Sequence, residues 1–268
     1  MNTIIIPIKI KKKIRRTIMK NIIINIFLIK FLLINISFAQ KDYYNTDHNQ
    51  PLLTEDAYSI EKYGMDFRLS LVDFEIKGKN YHNIITPEIK YSFIDNFHLG
   101  VGVNLEMHKE SEWKFNGVKE IEIKTFYNFN RENLSLPAFA ISAGYIYEIN
   151  DNENVSYGNL KFIATRSFGK LRSHLNADLK SPIKDIKLNR DNLSFGLAFD
   201  YPFPFNSLLM MGEIYNYSKN RNQISLGLRK QLNNSLLIYT SVGTEFGPER
   251  KNDFIFKLGF SFMKGLIF

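Results

Sequence analysis

Ser173, His174 and Asn176 fall within four residues of one another in "LRSHLNADLK". A hydroxyl, an imidazole and an amide are the parts of an ester-cleaving site, provided the nucleophile comes within hydrogen-bond reach of its base. The same stretch alternates, however. In an extended strand Arg172, His174, Asn176, Asp178 and Lys180 share one face while Ser173 points to the other, so hydroxyl and base face apart. A second arrangement, an Asp/His pair built on His82 or His108, falls in or beside polar stretches and reads as solvated side chains. The five histidines have no paired spacing, which predicts no metal centre. The chain has no cysteine, so a thiol nucleophile, a thiolate metal site and a disulfide are excluded. No phosphate loop, dinucleotide fingerprint or hydrolase elbow occurs. The sequence therefore predicts no catalytic residue, no metal and no cofactor. What remains is non-covalent chemistry. Glu88, Lys90, His98, Asn104, Glu106, Glu122 and Lys124 stand on the polar faces of three successive strand-like runs, and Arg172, His174, Asn176 and Asp178 on a later one. Together they line either a polar path whose charges set selectivity or a self-neutralising network that fills a narrow interior.

The elements that must position them are strands. In "FHLGVGVNLEMH", residues 97–108, Phe97, Leu99, Val101, Val103, Leu105 and Met107 alternate with small or polar residues. A period of two over twelve residues means an extended strand with two unlike faces. From Gly64 onward twelve such runs follow, among them "MDFRLSLVDF", "IITPEIKYSFI", "KEIEIKTFY", "AFAISAGYIYEI" and "NLSFGLAFDY", and no convincing helix. Short connections such as "DN", "GK" and "NN" follow even-numbered runs. Longer, more charged ones such as "KESEWKFNG" and "SPIKDIKLNRD" follow odd-numbered runs. Pro87 lacks a ladder donor and is expected near an edge or strand end.

The polar faces decide which face meets what. Gly100, Gly102, Gly144, Gly196, Gly227, Gly243 and Gly259 all lie on them, beside charged residues. Glycine weakens strands, but it suits a crowded concave interior. Phe97, Tyr127, Phe139, Tyr201 and Phe262 sit near run ends on the apolar faces, where aromatic girdles would lie. Spanning strands need about 9–11 residues. The expected fold is all-β: a closed antiparallel transmembrane β-barrel of about 12 strands, with short periplasmic turns and longer outer loops. A secreted soluble β-sandwich or soluble barrel is the alternative. Trp113 and Phe115 in an outer link are read as capping the barrel or touching headgroups rather than as a ligand site.

Ahead of the barrel, residues 1–39 read as a signal peptide: Lys9 to Lys20 form a basic stretch, an apolar run follows, and Ser37-Phe38-Ala39 precedes the cleavage point. Met19 is an alternative start. Lys30 within the apolar run argues against a transmembrane anchor, and Gln40 in place of Cys against a lipoprotein. Residues 40–63 are polar, carry Pro51 and are expected to form a loosely ordered arm; 64–268 is the barrel. The net charge of +8 belongs to the leader, which holds eight of the 35 basic residues and no acid; 27 basic and 27 acidic residues remain beyond it. That balance excludes a nucleic-acid partner argued from charge.

"TPEIKYSFIDNFHLGVGVNLEMH", "LPAFAISAGYIYEI" and "GNLKFIATRSFGKLRSHLNADL" resemble an outer-membrane family named for the MetA pathway of phenol degradation, whose members are described as transporters. The resemblance runs from about Met65 to Phe262. It implies an outer-membrane barrel and passage of small organic compounds. Phe268, an aromatic last residue, is in keeping with recognition by the barrel assembly machinery. The expected partners are thus outer-membrane lipid, that machinery and a small-molecule solute. The expected function is a passive channel or binding protein for small solutes. A closed-lumen surface or structural barrel is the alternative, and a lipid-modifying enzyme a third reading.

Overall fold

The computed structural model describes residues 50–264 except 78–79, 110–112, 150–153, 186–191, 204–206, 219–220 and 249. The predicted leader, residues 40–49 and Phe268 lie outside the described residues. Twelve strands follow in chain order: β1 (Met65–Lys77), β2 (Asn80–Tyr91), β3 (Phe97–Lys109), β4 (Trp113–Asn130), β5 (Ala138–Glu148), β6 (Val155–Phe168), β7 (Leu171–Pro182), β8 (Leu193–Phe203), β9 (Leu208–Ser218), β10 (Arg221–Gln231), β11 (Leu236–Gly247) and β12 (Arg250–Lys264). Each pairs antiparallel with its sequence neighbours. β1 also pairs with β12, through Met65↔Lys264 and Phe67↔Phe262, which closes the sheet. Closure leaves no unpaired edge, the condition a sheet must meet in hydrocarbon.

The barrel is inverted relative to a water-soluble protein. Leu226 is 65% exposed and Phe162 55%, whereas Lys90 is 0% and Arg68 2%. Leu99, Val101, Ile123, Leu175, Leu197 and Ile214 continue an apolar outer belt around successive strands. An apolar surface this continuous far exceeds what soluble monomers expose, whereas hydrocarbon accepts it without cost. At the end of the barrel where β1 begins and β12 ends, the outer face is aromatic. Phe93 packs edge-on against Phe97, Tyr127 against Phe129 and Tyr201 against Phe203, with ring centroids 5.2, 5.3 and 5.1 Å apart. An aromatic girdle of this kind marks an interface between hydrocarbon and water.

Two local details differ from the sequence expectation. Much of the polar sequence read as long links is drawn into the ladder: β1 runs to Lys77 and β2 restarts at Asn80, while β4 takes in Trp113 and extends for 18 residues. Eighteen residues at about 3.3 Å each span roughly 60 Å, about twice the hydrocarbon thickness. Backbone pairing continues into these polar tips because a hairpin satisfies N–H and C=O groups that a loop would leave to solvent. Where β4 bulges against β3, Gly117 adopts φ 97°, a left-handed conformation that glycine takes without a Cβ clash. Pro87 sits mid-strand, not at an end. A closed barrel has no edge to offer it, so the β2–β3 ladder is interrupted there instead, between Ile85↔Leu105 and Glu88↔Gly102.

Candidate functional site

Residues 50–57, the described end of the polar arm, lie inside the barrel. Gln50, Leu52, Thr54, Glu55, Asp56 and Ala57 are all buried. They are therefore seated rather than loosely ordered. The seat is built from residues on the inner faces of β4 to β11. Asn128 on β4 donates to the Ala57 carbonyl. The Ala57 N–H donates to Thr165 Oγ1 on β6 at 2.9 Å. Asn176 on β7 reads both backbone groups of Glu55: its Oδ1 accepts the N–H at 2.9 Å and its Nδ2 donates to the carbonyl at 2.8 Å. Glu213 on β9 accepts the Leu53 and Thr54 N–H groups, at 2.9 and 3.0 Å, and the Thr54 hydroxyl at 3.0 Å. Ser241 on β11 donates to the Pro51 carbonyl at 3.3 Å.

Charge pairing supports the same segment. Lys161 Nζ lies 3.1 Å from Glu55 and 3.6 Å from Asp178, and Arg172 lies 3.7 Å from Asp56. Arg172 also forms a bidentate pair with Asp200, at 2.9 and 2.7 Å. Apolar contacts complete the seat. Ala57 joins Phe126, Ala138, Ala140 and Ile163; Leu52 joins Ala198, Leu209 and Met211. Two lumen glycines leave the space the arm needs. A Cβ on Gly227 would stand 2.6 Å from Pro51, and one on Gly196 2.7 Å from the Thr54 hydroxyl. Beyond Ala57 the chain leaves through the girdled end, where Tyr58 is half-buried. Desolvation, then Glu132 and Asp56, push its hydroxyl above the ordinary tyrosine range.

The candidate residues named from sequence take these positions. Lys90, His98, Lys124, Arg172, His174, Asn176 and Asp178 are buried. Glu88 is nearly so and gathers three cations: Arg68 at 3.2 Å, Lys124 at 3.3 Å and Lys90 at 3.8 Å. His98 stacks on Phe126, with centroids 4.7 Å apart. Asn104 bridges Thr86 and Glu120. Glu106 and Glu122 are half-buried on β3 and β4. Arg172, Asn176 and Asp178 come together around the arm, while Glu88, Lys90 and Lys124 form a separate cluster with Arg68. The side chains of His82 and Trp113 lie outside the described residues; Phe115 is exposed.

Ser173 donates to the Arg166 carbonyl at 3.3 Å, away from His174. His174 instead sits between Thr165 (Nδ1, 3.0 Å) and Asp200 (Nε2, 2.9 Å). The carboxylate only accepts, so Nε2 carries a proton and donates to Asp200, while Nδ1 hydrogen-bonds with the Thr165 hydroxyl. That hydroxyl is fully buried and already accepts from Ala57. The relay of hydroxyl, imidazole and carboxylate therefore ends on the arm's backbone, and it anchors the arm. Sequence reading passed over Thr165, Lys161, Asp200, Glu213 and Asn128. Asp200 and Lys161 carry the signal of charge on a polar strand face. In the arm the signal is the apolar pair Leu52-Leu53 within a polar stretch.

Toward the far end of the barrel a cavity of about 570 Å³ opens above the arm, which contributes Leu53 to its lining. Its wall carries four carboxylates (Glu88, Glu120, Glu122, Asp178) and four cations (Lys124, Lys161, Lys180, Arg221), with Tyr157, Tyr215 and Tyr217. A second cavity of about 420 Å³ at the girdled end is lined by Tyr58 to Lys62 with Asp95, Asn96, Asn128 and Arg131. No cluster of three or more potential metal-ligating side chains occurs among the described residues.

No protein-family model matches the chain, and no curated protein matches it. Among solved structures it is similar to an outer-membrane channel from Pseudomonas putida F1, with a TM-score of 0.51 and 13% identity over 78% of this chain and 97% of that one. It is similar also to the KdgM porin in complex with disordered oligogalacturonate, with a TM-score of 0.50 and 15% identity over 74% and 98%. Outer membrane phospholipase A from Escherichia coli overlaps at a TM-score of 0.47, with 11% identity over 81% and 94%. The first two carry the same conclusion as the inverted faces: the fold is that of an outer-membrane β-barrel.

Proposed function

We propose that this protein is an outer-membrane barrel that receives small polar solutes in its far-end cavity, and that its own arm closes the path beyond. The observation that carries the reading is the position of Leu53, which belongs at once to a segment held by the wall and to the lining of the 570 Å³ cavity. The inverted faces support placement in lipid, and the sequence resemblance to the MetA-pathway phenol-degradation family points toward small organic solutes. The balance of four carboxylates and four cations in the lining favours neutral or dipolar molecules over simple ions. No covalent step is needed.

Planar-bilayer conductance tests this. The native barrel is expected to pass little steady current, and a barrel whose arm has been unseated is expected to pass more. Silence in both states would sink the channel reading and leave the closed-lumen structural barrel. Equal current in both would sink the closure.

A further inference from the structure

We propose that the inner wall from β4 to β11 is a recognition track for a peptide held by its backbone, and that residues 50–57, bent from Gln50 to Leu53, are its occupant in cis. The hydrogen bonds that hold the arm go mostly to its backbone. Asn176 takes the N–H and C=O of a single residue, Glu55. Glu213 takes two successive N–H groups, Asn128 a carbonyl and Thr165 an N–H. Side-chain amides and carboxylates placed in this way hold the bent segment by its backbone groups. Specificity is added by the side-chain seats. Gly227 leaves room for a proline ring, and Ala198, Leu209 and Met211 enclose a leucine. Lys161 and Arg172 face two successive acids, and the small cluster around Phe126 admits an alanine.

The track therefore fits a peptide of the form Pro-Leu-Leu-Thr-acid-acid-Ala, the sequence the arm itself supplies. This site adjoins the solute cavity, sharing Leu53 and Lys161 with its lining, and does not depend on the solute reading. A tethered occupant competes at an effective concentration of order millimolar. A free peptide thus gains the site only when the arm is weakened or when the peptide is in large excess.

The test uses the full chain in detergent micelles. Glu55→Lys with Asp56→Arg turns the arm's charges against Lys161 and Arg172 and leaves the wall unaltered. Heat-modifiable gel migration reports that this variant is folded. A fluorescein-labelled synthetic peptide spanning residues 50–58 is expected to bind the variant saturably at one site, at least tenfold more tightly than it binds the native chain. A scrambled peptide of the same composition is expected not to compete.

Absence of saturable binding to the folded variant, or equal binding of the scrambled peptide, would overturn the proposal. A second experiment decides the matter if the variant does not fold. In the otherwise native chain carrying Thr54→Cys, maleimide labelling is expected to accelerate at least tenfold when the unlabelled peptide is added at millimolar concentration. An unchanged rate would overturn the proposal.

Discussion

At the scale of single residues, buried charges gather in pairs and clusters, as Glu88 does with Arg68, Lys124 and Lys90. Asp200 accepts from both Arg172 and His174 and is itself almost fully buried. Removing one partner of a buried pair costs about 3–5 kcal/mol, because the other charge stays behind in a poor solvent. Asp200→Ala is therefore expected to lower unfolding stability toward the lower end of that range, since Asp56 lies 3.7 Å from Arg172 and takes over part of its charge. Denaturant unfolding in micelles measures it, and a loss below about 1 kcal/mol would contradict the assigned role. Gly227 acts by what it lacks. A valine there places methyl groups where Pro51 now sits, 2.6 Å from the position of a Cβ. Overpacking costs about 1–3 kcal/mol, so Gly227→Val is expected to raise maleimide labelling of Thr54→Cys by about tenfold, with the barrel still formed.

At the scale of elements, the arm is a strap and the twelve strands are its frame. A pair of cysteines tests the strap directly, and the native chain supplies no competing thiol. The Thr54 hydroxyl lies where a Cβ on Gly196 would almost touch it, so Thr54→Cys with Gly196→Cys is close enough to cross-link. The oxidised protein is expected to conduct less than the reduced protein in planar bilayers. An identical trace under both conditions would remove the arm from the permeation path. The strands were legible in the sequence because alternation is strong wherever one face meets lipid, as in 97–108. Their ends were not. Polar residues such as Lys77 and Asn80 pair as readily as they loop, and composition does not separate the two. The arm's seat was illegible for a related reason. Its contacts join residues 71 to 190 positions apart, and no local pattern announces a backbone group that will be read by a side chain so distant. The candidate list nevertheless contained Arg172, His174, Asn176 and Asp178, because charge on an inward strand face is visible locally. Thr165 was missed because a threonine on a strand looks ordinary until His174 is placed beside it.

At the scale of the whole molecule, one arrangement accounts for the rest. Apolar side chains face outward, polar side chains face an enclosed interior, and that interior holds one segment of the chain, residues 50–57. Twelve strands lie between the filled eight-stranded barrels and the open sixteen-stranded porins, and the arm occupies the space this leaves. The measurement that tests the arrangement most directly is a cysteine scan of β3 in lipid vesicles, one labelled position at a time from Leu99 to Asn104, read by quenching from brominated lipid tails. The account predicts strong quenching at Leu99, Val101 and Val103 and weak quenching at Gly100, Gly102 and Asn104. Quenching that does not alternate, or that peaks at the second set, would contradict it.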